Sequence, residues 1–238
     1  MFYTFRQRDR THSEQLYSIE GPRAMPLVAH YNLWLVLLSY LVAVAASYAA
    51  FRIVPNDAFI NGPSWRRGIV PAAMVMGAGI WSMHFIGMAS FHLGDAHFGF
   101  RWDLTTLSLL VAIVFTGVGF WMVSVFDKAF DGLLIGGVLM ASGILMMHFL
   151  GMMAMTGEFT QYYRTGLVLA AAAIAFVASV GALWFPTSSL PTGKSVMAAI
   201  LMGIAICGMH YLAMAATVFT SNDPPPSVIF GDYPSGGL

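Results

Sequence analysis

The chain alternates between long apolar runs and short polar joints. Six runs are long enough to cross a bilayer as helices, at about 33–52, 68–92, 104–126, 132–156, 166–186 and 195–219, since a span needs roughly 20 apolar residues. Between those limits there is no Asp, Glu or Lys, and Arg52 at the first boundary is the only charged residue. The joints carry turn residues: Pro55 to Asp57 with Asn61 to Pro63, Asp127 to Asp131, Pro186 to Gly193, and Asn222 to Pro226. Short joints make neighbouring helices antiparallel. The pattern predicts an all-α fold, an integral membrane bundle of six transmembrane helices. Residues 1–27 form a polar N-terminal tail, 28–220 the membrane domain, and 221–238 a Pro/Gly-rich C-terminal tail. The first run is too long for a signal-peptide core and no cleavage site follows it, so it reads as a retained span.

Composition agrees. Hydrophobic residues make up 58% and charged residues 9% of the 238 residues, against about 25% charged in soluble domains, too few to cover a water-exposed surface. The formal net charge is +0, which gives nucleic acid no attraction to this chain. The single cysteine, Cys207, excludes an intrachain disulfide and any all-cysteine metal site, and reads as a small buried hydrophobe.

Call the side holding both termini side A. Arg52, Arg66, Arg67, Lys128 and Lys194 belong to side B; Arg23, Arg101 and Arg164 lie near the spans on side A, with Arg6, Arg8 and Arg10 farther off. Counted close to the spans, the excess makes side B cytoplasmic and puts both termini outside.

The chain repeats itself. Residues 77–91 read GAGIWSMHFIGMASF, 141–155 ASGILMMHFLGMMAM, and 203–217 GIAICGMHYLAMAAT. They share Met-His-aromatic-aliphatic-small-Met and place His84, His148 and His210 at intervals of 64 and 62. Each copy lies in the second helix of a pair, so the bundle is built from three helical-hairpin repeats. His and the later Met stand at i and i+4, one turn apart on one face, giving the pairs His84/Met88, His148/Met152 and His210/Met214. Each His is expected three to four residues past its helix midpoint, about 4–6 Å toward side A. The small residue between (Gly87, Gly151 or Ala213) lets another helix approach.

A histidine inside a membrane is costly, and function is its default reading. One copy would equally suit hydrogen-bonded structure; three matched copies at one depth point to a shared centre. Met83, Met147 and Met209 point about 100° away and suit either core packing or a second ligand set, which His30 before the first span could join, and His92 and His97 flank the second loop on the same side. Met74, Met76, Met140, Met146, Met153, Met155 and Met202 read as gap-filling. Neutral imidazole with thioether and no carboxylate suits copper, above all Cu(I). Haem b held between imidazoles is the alternative. The chain would then be a membrane electron-transfer subunit; a metal-ion transporter is a third reading. No span holds a carboxylate and none is broken by Pro in its middle, features common at transport sites. Nucleophile arrangements, phosphate loops and nucleic-acid motifs are absent, so an enzyme is not expected.

At these motifs the sequence resembles the MHYT domain family, from about His30 through Thr217; His30 to Ser39 and Ala46 to Ala49 also resemble its opening helix. The resemblance implies a bacterial six-span sensor in the cytoplasmic membrane, with copper held near its outer face and oxygen, carbon monoxide or nitric oxide as the sensed ligand. That role would fall on Met83 and His84, Met147 and His148, and Met209 and His210. Phe85 and Phe149 stand where the family name has Tyr, only Tyr211 keeps it, and no Thr follows. Family members often continue into cytoplasmic signalling domains. The 238 residues contain none, so either a separate output protein takes the signal or the chain is part of a longer one. With both termini outside, a fused cytoplasmic output would need a seventh span.

Overall fold

The computed structural model describes residues 29–53, 65–93, 98–126, 129–187, 192–220 and 228–229. The N-terminal tail, His97 and all of the C-terminal tail except 228–229 lie outside them. Six long helices run α1 (Leu33–Ile53), α2 (Trp65–Ala89), α3 (Trp102–Val125), α4 (Ala129–Met153), α5 (Thr165–Thr187) and α6 (Thr192–Ala216). All six are long and apolar enough to cross a membrane, and the fold is the all-α bundle that the apolar runs predict. Exposed Trp34 and Trp102 at the side A starts of α1 and α3, with Trp121 and Trp184 toward side B, form the aromatic girdles expected at the two interfaces.

Each helix packs on its sequence neighbours, and α6 closes the ring on α1. α2 also touches α4 and α6. The even helices are the inner ones: buried residues make up 44–50% of their apolar windows, against 22–33% for the odd helices. Glycine allows the close approaches. A Cβ on Gly77 of α2 would stand 2.7 Å from the Ile113 backbone of α3, where a helix cannot yield as a side-chain tip would.

Each even helix begins and ends three residues earlier than its apolar run. The missing ends are the strands β2 (Phe91–Leu93), β4 (Met155–Thr156) and β6 (Thr217–Thr220); β1 (Ala29–Tyr31), β3 (Gly99–Phe100) and β5 (Thr160–Tyr163) precede the odd helices, and β7 (Val228–Ile229) comes after β6. β2, β4 and β6 continue the apolar runs of the even helices, so hydropathy does not separate them from helix. The repeat unit is therefore strand–helix–helix–strand, its two strands pairing antiparallel on side A. The register recurs: Tyr31 faces Phe91, Phe100 faces Met155 and Tyr163 faces Thr217, each partner seven residues past a motif histidine. The next backbone N–H in each repeat, of Asn32, Arg101 and Arg164, donates to the carbonyl of Ser90, Ala154 and Ala216 at 2.8 Å. β7 adds to β5 in parallel.

Candidate metal centre

His84, His148 and His210 lie on the three inner helices, six or seven residues past the helix midpoints. That is about 9–10.5 Å toward side A, nearer that face than the sequence expectation, because the helices end at Ala89, Met153 and Ala216. All three are fully buried, and their rings meet edge-on at centroid distances of 4.9–5.3 Å.

The Nδ1 atoms form a triangle: 3.1 Å from His84 to His210, 3.3 Å from His148 to His84 and 3.4 Å from His210 to His148. No other described group of three or more His, Cys, Asp or Glu could hold a metal ion. A neutral imidazole carries one ring proton. With the protons on Nε2, three Nδ1 lone pairs face one another; a proton moved to Nδ1 serves one neighbour and leaves an Nε2 bare. The Nε2 atoms of all three histidines are buried without a hydrogen-bond partner. No placement of three protons satisfies six nitrogens here. A cation amid the Nδ1 atoms gives the three facing lone pairs a common partner, with the protons held on Nε2, and the point equidistant from them lies about 1.9 Å from each, close to an ordinary metal–imidazole bond.

Neighbouring helices set the ring positions. A Cβ on Gly151 would overlap Nε2 of His84, and one on Gly87 would overlap Nε2 of His210. These glycines therefore make room for an imidazole of the adjacent inner helix, where sequence reasoning expected a close helix backbone. Ala213 occupies the equivalent place in the third repeat.

The methionines separate into layers. Met88, Met152 and Met214 are buried on the side A flank of the histidines, in an apolar cluster with Phe91, Met155, Phe159 and Phe219. Met83, Met147 and Met209 belong to the main core on the other flank, as do Met76, Met140 and Met202. Those last three recur eight residues before each histidine and pack as gap-filling residues would. Met74, Met146 and Met153 are exposed. Cys207 is buried in the main core. His30 does not join the centre: it is exposed on β1, opposite His92.

Three aromatic lids escaped the sequence reading. Phe100 covers Phe85, Tyr163 covers Phe149 and Tyr31 covers Tyr211, all edge-on at 5.3–5.8 Å. Their signal is an aromatic–polar pair before each odd helix: Tyr31-Asn32, Phe100-Arg101 and Tyr163-Arg164. Burial first, and then the nearby Tyr211, push the Tyr31 phenol up to about 12, so it stays neutral. The Tyr211 hydroxyl lies 2.9 Å from Ser39 on α1, and Ser39 donates its own proton to the Val36 carbonyl. Tyr211 is thus the donor, tying the inner helix to the ring.

Comparison with known proteins agrees with this threefold construction. The MHYT profile, described as a bacterial signalling protein N-terminal repeat, matches at residues 23–67, 77–136 and 142–199. The bifunctional diguanylate cyclase/cyclic di-GMP phosphodiesterase MucR of Pseudomonas aeruginosa is 37% identical over 81% of this chain and 29% of its own length. The cyclic di-GMP phosphodiesterase NbdA of the same organism is 34% identical over 80% and 25%. The signaling protein YkoW of Bacillus subtilis is 28% identical over 85% and 26%. The chain thus spans between a quarter and a third of the length of these relatives. No solved structure matches it. With three matched repeats covering more than half of its length, the chain belongs to the MHYT family of bacterial signalling proteins.

Proposed function

We propose that this domain is a copper-binding sensor in the bacterial cytoplasmic membrane, answering to a diatomic gas or to redox state. The observation that carries the reading is the buried Nδ1 triangle of His84, His148 and His210, with edges of 3.1–3.4 Å. The donors are neutral and no carboxylate accompanies them, so a monovalent ion leaves less uncompensated charge in the apolar interior than a divalent one. The methionine layers add polarizable sulfur on both flanks, which also favours Cu(I). Copper, when bound, supplies a one-electron redox change and a position for a ligand such as oxygen, carbon monoxide or nitric oxide. Imidazole nitrogens this close leave no room for a macrocycle between them, which weighs against haem. Relatives named for cyclic di-GMP turnover support a role in feeding an output module, linked or separate.

Copper analysis of detergent-purified protein, with an optical spectrum, tests the reading. About one copper per chain and no Soret band are expected; a Soret band with no copper overturns it. Replacing Met88, Met152 and Met214 together by Leu conserves volume and costs under about 1.5 kcal/mol per site, yet should weaken Cu(I) binding in a chelator competition. Unchanged affinity in the folded variant would confine these methionines to packing.

The cationic excess on side B supports a cytoplasmic side B and a centre near the outer face. Glu158 on side A and Arg52 on side B are both exposed. A membrane-impermeant thiol reagent should label Glu158→Cys in intact cells and spare Arg52→Cys. The opposite pattern reverses the orientation.

A further inference from the structure

The three repeats do not roof the centre equally. Seven residues past the histidine, the first two carry Phe91 and Met155 and the third carries the smaller Thr217. Beside Thr217, between α1 and the side A end of α6, lies a pocket of about 560 Å³. Its walls include Tyr31, Val36, Tyr211 and Thr217, and of the three outer methionines it reaches only Met214. Met214 is one turn from His210, and the Tyr211 ring lies 4.8 Å from the His210 ring. Arg164 also lines the pocket. The equivalent Arg101 is neutralised by Asp103 at 2.6 Å, whereas Arg164 has no carboxylate partner among the described residues.

We propose that this pocket is the vestibule through which small uncharged molecules reach the histidine centre, by way of Met214 and the His210 edge. That it leads to a metal rests on the function proposed above; the asymmetry of access does not. The lining is mostly apolar, which suits a neutral solute. A guanidinium with no carboxylate partner among the described residues, and no carboxylate in the lining, disfavours a free metal cation. The third repeat departs from the first two at Thr217, and from the second at Arg164, which lacks a carboxylate partner among the described residues.

The test uses the metal-free wild-type protein, so its outcome does not depend on copper. Hydrogen peroxide, small and neutral, oxidises accessible thioethers to sulfoxides. Mass spectrometry should find Met214 oxidised about tenfold faster than Met88 and Met152, because all three are buried but only Met214 borders the pocket through which the peroxide would arrive. Ala215, which also lines the pocket, is exposed, as is the equivalent Ala89 of the first repeat, which does not line it. Ala215→Trp should bring the rate at Met214 down to that of the other two, and Ala89→Trp should leave it unchanged. Equal rates at the three methionines in the wild type overturn the proposal, as does equal slowing by both tryptophans. Copper binding without preferential Met214 oxidation would sink the vestibule alone; preferential oxidation without copper binding would sink the metal reading alone.

Discussion

Replacing any one of His84, His148 and His210 by Leu is expected to empty the centre of copper. Affinity should fall by on the order of a hundredfold or more, since even outer-shell changes at metal sites cost 10–100-fold. Three Nδ1 atoms within 3.4 Å of one another act as one donor set, so double replacements should add little to the first loss. Stability separates this from a structural role. In the metal-free protein each histidine brings a buried Nε2 without a partner, and such a group costs about 1–3 kcal/mol. The metal-free Leu variants should therefore melt no lower than the metal-free wild type, while the wild type gains stability on copper addition and the variants do not. Variants that melt well below the wild type without metal would mark the histidines as structural.

The second large effect is expected at the two glycines that seat the rings. Gly151→Ala places a methyl on Nε2 of His84, with Cδ2 and Cε1 at 2.9 and 3.2 Å; Gly87→Ala does the same to His210, at 2.9 and 3.3 Å. Each ring hangs from a fixed Cβ in a filled interior, so it can yield only by swinging Nδ1 off the common point. Copper affinity should drop about tenfold or more, with an overpacking cost of about 1–3 kcal/mol. Gly166→Ala, with nothing within 4 Å of its added Cβ, is the control. Chelator competition beside thermal melts decides it. Wild-type affinity in both glycine variants would mean the rings are not held by these contacts.

Much of this was present in the order of residues. Apolar runs of bilayer length determine six helices, because a backbone in lipid must satisfy its own hydrogen bonds. The recurrence of His84, His148 and His210 with Met88, Met152 and Met214 places them on three parallel helices at one depth and one face, because helical rise and turn convert spacing into position. The same spacing sets no rotation of one helix about its axis relative to another, and no side-chain rotamer. Tertiary packing alone decided that the histidines present Nδ1 to one another and Nε2 to a neighbour's glycine. It also set the two methionine groups on opposite flanks and left His30 outside. The strand pairs escaped for a related reason: two to four apolar residues continuing an apolar helix show no change of period. Their pairing joins residues some sixty positions apart, such as Tyr31 and Phe91. Those partners meet only after the two helices between them have packed, so their register belongs to the fold and not to any local stretch of sequence.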